Sequence, residues 1–387
     1  MDRLCDVNAG VTFRTPMIVL VANLGSTSFK YKLLDMELGG EVIARGGYER
    51  IGQSGSQFAT HGDVIDVIVK ECPRKPEAIG FKAVHGGPIS GAVRVNDEVL
   101  RTMEEFADVA PAHNPPYIAA MRAFAKKMPT TPQVACFETA FHQSIPAARQ
   151  TYAIPHEWTE KLGIRRYGFH GASHRYIATR VPELVGTEKS RRIISCHLGG
   201  SSSICAIENG KSVANSFGMT AQSGLPHNNR VGDFDAFTML KLVKAGMGVE
   251  DIFKKLSKEG GMLGMSGVSP DMRDIEKAAD AGDARAKLAI EAFAESVRHY
   301  IGAYLVALGG CDVLVFTGGI GENGIGFRER VCQNLQWAGI DLDRNKNQVR
   351  GQESEISAVE SDCAIWIVPT NEELIVARQT VAALNAN

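Results

Sequence analysis

Three short segments rich in glycine and serine are the parts of this sequence best suited to bind phosphate. They span residues 23–28, 199–203 and 317–324, and each follows an apolar, strand-like run. Such turns expose backbone N–H groups, and glycine lets the backbone approach a phosphate closely. One such segment alone is more often a tight turn, but three in one chain favour a nucleotide site. None fits a Walker A loop or a Rossmann Gly-x-Gly-x-x-Gly with its ribose-binding acid, which argues against a P-loop enzyme or a dehydrogenase.

A pair of histidines four residues apart, His170 and His174, is a further candidate for chemistry. On a helix the two imidazoles share one face, and such a pair can bind zinc. No third ligand and no metalloprotease glutamate accompany them in the sequence. The pattern therefore argues against a zinc site, although it leaves that alternative open.

The elements that must position the first two glycine-rich segments resemble each other. Residues 17–22 and 29–35 predict strands on either side of the first segment. Residues 192–198 and 204–208 do the same around the second, and Asn209-Gly210 then predicts a tight hairpin turn before a return strand. This repetition of one pattern in each half of the chain predicts a duplicated domain.

The third segment follows a long helical pattern. Residues 271–308 show helical spacing of apolar side chains, with a break expected at Ala281-Gly282. Residues 311–316 then predict a buried strand that ends at the glycine-rich segment, read as a loop. Helix, strand and glycine-rich loop in this order are typical of an α/β sheet, whose ligands bind at the carboxyl ends of its strands.

Bulk composition limits the class of protein. A chain of 387 residues is long for one hydrophobic core, so two domains are expected. A net charge of −2 gives no basic field for nucleic acid, and no apolar run is long enough to span a membrane. Residues 1–16 lack the apolar core of a secretory signal and are interpreted as a leader. Eight cysteines without a Cys-x-x-Cys pair are typical of reduced thiols, so we expect a cytoplasmic protein.

The motifs taken together resemble those of the acetate and propionate kinases, in that family's order and over nearly the whole chain from residue 18. The matching runs are Asn23 to Lys30, Val84 to Gly87, His113 to Pro116, Thr139 to Gln143, Arg166 to His174, Phe316 to Asn323 and Asn371 to Leu374.

This resemblance implies the actin-like fold of the actin, Hsp70 and sugar kinase superfamily. In that fold two ribonuclease-H-like α/β domains enclose a nucleotide cleft, and the last helix crosses back to the first domain. We therefore expect a leader over 1–16, an N-terminal domain over 17–163 plus 374–387, and a nucleotide-binding domain over 164–373. The resemblance also implies a homodimer.

The resemblance further implies roles for individual residues. His170 would stabilise the phosphoryl group in transit, Arg230 would grip it, and His113 would be a further active-site histidine. Asn23 and Glu372 would position Mg²⁺ (or Mn²⁺). The blander alternatives are that His113 anchors a turn, that Arg230 is a surface residue and that Glu372 caps a helix. The predicted ATP-binding residues are Ser26, Ser28, Lys30, His197, Gly199, Gly200, Ser201, Asp271, Met272, Arg273, Gly318, Gly319, Ile320 and Asn323.

Several positions depart from the family's pattern near the expected active centre. Lys82 stands where the family has arginine, a change that is not conservative at a bidentate site, and Glu138 stands where it has aspartate. Gly200 replaces a phosphate-contacting asparagine. The family's run Gly-Leu-Met-Met-Gly-Thr-Arg-Ser-Gly reads here Gly-Leu-Pro-His-Asn-Asn-Arg-Val-Gly over residues 224–232.

The expected acyl pocket is also altered. Its valine is kept as Val84, but its leucine and proline correspond to Ala112 and Ala221. The smaller side chains open volume, and His227 and Asn228 are expected to add polar contacts. Pocket methylenes each contribute about 1–3 kcal/mol of discrimination. We therefore predict a substrate larger or more polar than acetate.

The predicted reaction converts ATP and a short carboxylic acid into ADP and an acyl phosphate. Phosphoryl transfer relies on positioning and electrostatic stabilisation, so direct in-line attack without a phosphoenzyme is expected. Two alternatives remain. The chain could be a catalytically impaired ATP-binding regulatory protein, because of Lys82, Glu138 and Gly200. It could also be an alcohol or sugar-acid kinase that uses Glu138 as its base.

Overall fold

The computed structural model describes residues 17–107 and 113–386, so the predicted leader over 1–16 lies outside the described residues. Two six-stranded sheets organise the fold. The first sheet consists of β1 (Ile18–Gly25), β2 (Ser28–Asp35), β3 (Glu41–Tyr48), β4 (Ala78–Ala83), β5 (Ala92–Arg94) and β6 (Gln133–Phe137). The second consists of β7 (Arg192–His197), β8 (Ser203–Glu208), β9 (Lys211–Asn215), β10 (Val313–Thr317), β11 (Ser354–Glu355) and β12 (Ala364–Ile367).

The two sheets share one topology. Their strand orders are β3-β2-β1-β4-β6-β5 and β9-β8-β7-β10-β12-β11, the second written from its β9 edge. In each, three antiparallel strands formed by hairpins are followed by parallel partners, β4 and β6 or β10 and β12, and an antiparallel edge strand. This equivalence confirms the predicted α/β class and the duplication that the two hairpins indicated.

Helices cover the sheets. They are α1 (His61–Glu71), α2 (Asp97–Glu105), α3 (Asn114–Lys127), α4 (Ala147–Gln150), α5 (His156–Leu162), α6 (Gly171–Val185), α7 (Thr238–Lys244), α8 (Val249–Lys258), α9 (Gly261–Ser266), α10 (Met272–Asp280), α11 (Ala284–Leu308), α12 (Gly318–Asn323), α13 (Ile325–Cys332) and α14 (Glu372–Asn385). Short 3₁₀ turns span Ala140–Ser144, Thr187–Lys189 and Gln336–Ala338. Within the described residues, no helix has the length and apolar character needed to cross a membrane.

The predicted break in the long helical pattern is confirmed, because α10 ends at Asp280 and α11 begins at Ala284. The Asp283 side chain accepts a hydrogen bond from the backbone N–H of Ala286, which caps the second helix. The third glycine-rich segment was predicted as a loop, and this is wrong for most of it, because α12 covers Gly318–Asn323. The Leu198 carbonyl accepts from the N–H groups of Ile320 and Gly321, a long-range anchor that local pattern does not reveal.

The last helix, α14, packs on the first sheet although it follows the second in the chain. Ile375, Val376 and Ala377 are buried against Val19 of β1 and Val134 of β6. The helix therefore carries Glu372, its first residue, to the boundary between the two halves. The domain limits at residues 163 and 373 stay a prediction.

Candidate active site

A first cavity, of about 300 Å³, lies where strand ends of the first sheet meet the second half of the chain. It is bounded by residues at or near the carboxyl ends of β1, β4 and β6 and the amino end of α6, where ligands of α/β sheets bind. Its wall consists of Asn23, Leu24, Gly25, Ser28, Lys30, Lys82, Val84, His113, Tyr117, Glu138, Phe169, His170, Ser201, Phe217, Ala221 and Arg230.

A second cavity, of about 720 Å³, lies in the second half of the chain. Eight residues predicted to bind ATP line it, namely Gly199, Gly200, Asp271, Met272, Arg273, Gly319, Ile320 and Asn323. The rest of its wall consists of Pro226, Asn228, Met262, Pro270, Glu276, Phe293, Gly324 and Arg350. Its size and its mixture of apolar and polar groups suit a nucleotide.

One turn connects the two cavities. Gly199 and Gly200 line the second cavity, and the next residue, Ser201, lines the first. This turn follows β7 directly, and the Ser202 hydroxyl braces it by donating to the Gly199 carbonyl over 3.1 Å. A phosphate chain that extends from the second cavity would therefore reach the first at this turn.

His170 is the N-cap of α6 and has an unusual backbone conformation. Its φ is 57°, a left-handed value that few residues other than glycine adopt. The ring lines the first cavity. Strained residues of this kind are often found at functional sites, where the surrounding structure holds them in place.

A chain of hydrogen bonds fixes the tautomer of His170. Ser203 Oγ lies 2.8 Å from His170 Nδ1 and 2.8 Å from His174 Nε2, and Ser195 Oγ lies 2.9 Å from His174 Nδ1. The buried Ser195 hydroxyl has no other acceptor among the described residues, so it must donate to His174. His174 Nε2–H then donates to Ser203, and the Ser203 hydroxyl donates to His170 Nδ1. His170 is left with its proton on Nε2, as a free donor.

The imidazoles around the cavity are held neutral. Burial first, and the neighbouring histidines second, hold the pKa of His170 well below its ordinary value. Burial likewise lowers the pKa of His197, whose ring centroid is 4.2 Å from that of His170. Burial, with help from Arg230 and Lys82, lowers the pKa of His113 to about 4. At neutral pH these rings can therefore donate hydrogen bonds without adding positive charge.

Lys82, Glu138 and Glu372 form a buried charged cluster. Lys82 Nζ donates to Glu372 Oε2 and lies 3.9 Å from Glu138 Oε1. Burial alone would lower the pKa of Lys82, but the two carboxylates raise it above its ordinary value. Burial raises the pKa of Glu138 to about 7, a shift that Lys82 opposes. For Glu372 burial acts in the same direction, but the ion pair with Lys82 outweighs it and the pKa is lowered.

The oxygen atoms beside this cluster fit a hard divalent cation. Glu138 Oε2 is buried without a hydrogen-bond partner, and the Asn23 amide oxygen has only a long contact of 3.5 Å from the Tyr117 hydroxyl. Mg²⁺ takes oxygen ligands and commonly combines one or two carboxylates with nucleotide phosphates and water. No group of three His, Cys, Asp or Glu side chains in the described part of the chain is arranged to hold a metal alone. Both ring nitrogens of His174 lie within hydrogen-bond distance of a serine hydroxyl, Ser195 or Ser203, which argues against the zinc alternative for His170 and His174.

Arg230 brings an uncompensated positive charge to the first cavity. Its Nη1 donates to the Ala221 carbonyl, and it forms no ion pair with any carboxylate within residues 17–107 and 113–386. Burial lowers the pKa of its guanidinium to about 10, so it stays charged at neutral pH. A cation held in a cavity without a carboxylate partner is suited to bind an anionic ligand.

Comparison with known proteins agrees with this geometry. The model of the acetokinase family matches residues 64–378. The chain is 44% identical to the acetate kinase of Carboxydothermus hydrogenoformans over 94% of this chain and 98% of that protein. The chain belongs to the acetokinase family. The predicted enzyme class is thereby confirmed: the chain is a phosphotransferase with a carboxyl group as acceptor. Membership of the family also implies the use of ATP and a divalent metal.

Solved structures confirm the actin-like fold class of the acetokinase family for this chain. The acetate kinase of Porphyromonas gingivalis superposes with a TM-score of 0.88 at 39% identity, over 95% of this chain and 100% of that one. A propionate kinase from Francisella tularensis subsp. tularensis SCHU S4 superposes with a TM-score of 0.88 at 34% identity, over 95% and 99%.

Most of the residues that the resemblance to the acetokinase family pointed to lie on one of the two cavities. The first brings together the predicted residues Asn23, Ser28, Lys30, Lys82, Val84, His113, Glu138, His170, Ser201, Ala221 and Arg230. Glu372 reaches this group through Lys82. His197 supports the His170 ring, and the buried Gly318 begins α12 behind the second cavity, where its N–H donates to Glu322.

Four predicted placements need correction or fall outside the described residues. Ser26 is exposed and lines neither cavity, because it sits at the tip of the hairpin between β1 and β2. His227 is buried, with Nδ1 accepting from the Ser202 N–H over 3.0 Å, so it does not reach the acyl side. Asn228 lines the second cavity instead of the first. Ala112 lies outside the described residues.

Sequence reasoning missed three aromatic residues of the first cavity, namely Tyr117, Phe169 and Phe217. Tyr117 lies four residues after His113 on α3, so helical spacing could have placed the two together. Phe169 directly precedes His170. Phe217 follows β9 and stacks on His227 with ring centroids 5.3 Å apart, a contact that no local pattern predicts.

Proposed function

We propose that this protein transfers the γ-phosphoryl group of ATP to the carboxylate of a short aliphatic acid, giving ADP and an acyl phosphate. The observation that carries the proposal is the turn at Gly199–Ser201, which lines the large cavity and the small one in succession. ATP in the large cavity would present its terminal phosphate to an acid in the small cavity. The family relationship supports the same reaction.

The described side chains support direct in-line transfer. Arg230 would hold the transferred phosphoryl group with its planar fork, and His170 Nε2–H would donate to a phosphoryl oxygen as charge develops. Neutral His113 would add a further donor. A buried, preorganised set of donors stabilises such charge without reorganisation. No side chain needs to become phosphorylated in this scheme.

Asn23 and Glu372 would hold Mg²⁺ (or Mn²⁺) together with the nucleotide phosphates. When bound, the ion supplies positive charge that neutralises the phosphate oxygens. Glu138, with its orphaned oxygen, would accept from a water of the ion's shell. Lys82 keeps the two carboxylates together and limits their mutual repulsion.

For the acid, we propose an aliphatic chain of two to four carbons. Val84, Phe169, Phe217 and Ala221 give the first cavity its apolar wall, and Ala221 leaves more room than a larger side chain would. A substrate more polar than acetate loses its support, because His227 and Asn228 lie elsewhere. Acids longer than acetate remain our proposal, since their extra methylenes would meet apolar surface.

A panel of acids tests the proposed function. Acyl phosphate would be trapped with hydroxylamine for acetate, propionate, butyrate, lactate and glycolate, and ADP would be measured in parallel. We expect turnover with the three unsubstituted acids and kcat/KM at least tenfold lower with the hydroxy acids. Ala221→Leu should shift the preference toward acetate by about tenfold for each methylene of a longer acid that it excludes. Ala303→Leu, at an exposed position of α11 that lines neither cavity, should leave the preference unchanged.

Other outcomes of this panel would replace the proposal. ATP binding without ADP formation with any acid would support the impaired regulatory protein. A phosphorylated product that resists hydroxylamine would support an alcohol or sugar-acid kinase with Glu138 as base. A clear preference for acetate over all longer acids would overturn the chain-length part alone.

We also propose a homodimer in the cytoplasm. Exposed apolar side chains gather on and around α7 and α8, where a second copy could cover them. They are Phe234, Phe237, Leu240, Val243, Met247, Val249 and Phe253. Light scattering after gel filtration should give twice the mass of one chain, and Phe237→Asp should reduce it to one chain while Val359→Asp should not. The unpaired state of the described cysteines supports a reducing compartment.

A further inference from the structure

The second cavity contains a glycine and an asparagine that face each other. A Cβ added to Gly200 would lie 3.4 Å from Asn228 Nδ2, in ordinary van der Waals contact. Both residues line the cavity. The amide of Asn228 therefore stands beside the space that a side chain at position 200 would fill.

Two hydrogen bonds fix the backbone of Asn228, and a third orients its side-chain amide. The Asn228 N–H donates to the Gly200 carbonyl over 3.0 Å, and the Leu263 N–H donates to the Asn228 carbonyl over 2.8 Å. The Asn229 N–H donates to Asn228 Oδ1 over 3.0 Å. Because only the oxygen of a carboxamide can accept, Nδ2 must point away from Asn229. Nδ2 donates to no described residue, so a preorganised donor is left for a ligand.

The two positions also differ from the family's pattern in a reciprocal way. The pattern that the resemblance implies has asparagine at position 200 and glycine at position 228, whereas this chain has Gly200 and Asn228. One change removes a carboxamide beside the phosphate turn, and the other introduces a carboxamide at nearly the same place in space. Together they keep the number of amide donors at this part of the wall unchanged.

We propose that Asn228 Nδ2 is a nucleotide-binding donor that contacts the phosphate chain of ATP and ADP in place of the side chain absent at position 200. The inference rests on the proposed function only in that the second cavity holds a nucleotide. Asn228 would thereby supply a side-chain donor at a part of the wall where Gly200 contributes none.

Binding without turnover tests the proposal. The affinities of adenosine, ADP and the β,γ-imido analogue of ATP would be measured by calorimetry with Mg²⁺ and without any acid. A hydrogen bond to a charged group typically changes affinity by about tenfold to hundredfold. Asn228→Gly should weaken binding of ADP or of the analogue at least tenfold and leave adenosine within about twofold. Asn228→Asp, which keeps the shape but removes the donor, should weaken the same ligand further.

Exchanging the two residues is the most stringent test of the proposal. The double variant Asn228→Gly with Gly200→Asn should restore affinity for the weakened ligand to within about threefold of the natural chain. Asn229→Gly is the matched control, because Asn229 is the neighbouring asparagine and lines neither cavity.

Three results would overturn the inference. The first is an unchanged affinity of folded Asn228→Gly for ADP and for the ATP analogue. The second is an affinity for adenosine that falls as much as the affinity for the phosphate ligands. The third is a double variant that binds these ligands as weakly as Asn228→Gly does. Because no acid is present, failure of the acid panel would leave this test intact, and the two proposals can fail separately.

Discussion

At the scale of residues, the first cavity combines a permanent cation with neutral rings. Arg230 carries charge without a carboxylate partner in the described part, whereas burial keeps His113 and His170 uncharged. Two functions are thereby separated. In our proposal the charged guanidinium attracts the anionic ligand, whereas the neutral imidazoles donate hydrogen bonds to the charge that develops during transfer.

Replacing Arg230 by glutamine should impair chemistry more than nucleotide binding. Removal of one preorganised donor to a developing charge costs about 10²–10³ in kcat. We expect kcat to fall at least a hundredfold and the KM for ATP to change less than threefold, measured by ADP release with acetate and propionate. Arg45→Gln, an exposed arginine on β3, is the control. A rise in the KM for ATP as large as the fall in kcat would contradict the assignment of Arg230 to phosphoryl transfer.

Replacing Lys82 by methionine should destabilise the fold. The change leaves Glu372 and Glu138 buried without their cation, and breaking a buried ion pair on one side costs roughly 3–5 kcal/mol. Urea unfolding at pH 7.5 should show this loss. The surface pair Lys255–Glu259 offers a matched comparison, since Lys255→Met should leave the unfolding midpoint unchanged. Similar effects of both substitutions would argue against the buried cluster.

At the scale of elements, the carboxyl ends of the strands supply the residues of the site. The carboxyl ends of the parallel strands β1, β4 and β6 supply Asn23, Lys82 and, one residue later, Glu138. In the second sheet β7 and β10 end at the two remaining glycine-rich segments. Because parallel strands end at one edge of a sheet, residues distant in the chain meet there.

The end of β10 gives a test at this scale. Gly318 has a φ of 75°, and a Cβ there would lie 2.7 Å from the Leu198 carbonyl oxygen. Gly318→Ala should lower the free energy of unfolding by about 1–3 kcal/mol, measured with urea, and raise the KM for ATP. A Cβ on Gly302 of α11 would meet no atom within 4 Å, so Gly302→Ala should raise stability by up to about 1 kcal/mol. Equal destabilisation by both changes would contradict this account.

At the scale of the whole molecule, buried neutral histidines should make stability depend on pH. Burial lowers the pKa of His142 and of His113 to about 4, against an ordinary 6.5. Between these values the unfolded chain binds more protons, so stability is lost as pH falls from 6.5 toward 4. His142 alone should contribute about 3 kcal/mol across this window. Glu138, whose pKa burial raises to about 7, has the opposite effect, because it lowers stability as the pH rises. It is one group against several buried histidines.

Urea unfolding between pH 5 and pH 7.5 would measure this dependence. We expect the free energy of unfolding to rise with pH over this range. The rise should be smaller in His142→Gln than in the natural chain, whereas His299→Gln, at an exposed histidine of α11, should leave the slope unchanged. A stability that falls from pH 5 to pH 7.5 would show that the buried histidines do not dominate.

The sequence by itself determined the features that depend on short-range pattern. Glycine-rich turns, strand alternation and Asn209-Gly210 specify their own backbone, so both hairpins, the α/β class and the duplication were predictable. The motif resemblance added the family and most cavity residues. The predictions of fold class and family are confirmed because both rest on motifs whose residues are neighbours in the chain, whereas the roles of the site residues stay predictions.

Only the tertiary structure decided which side chains share a wall. Lys82 and Glu372 are 290 positions apart, and their ion pair exists because α14 packs back on the first sheet. Asn228 was expected at the acyl side, but the hydrogen bond of its N–H to Gly200 carries it to the second cavity. Long-range backbone contacts such as these leave no periodic trace in the sequence. The apolar wall of the first cavity therefore supports our proposal for the acid, and the position of Asn228 on the second cavity supports our proposal for a donor to the nucleotide.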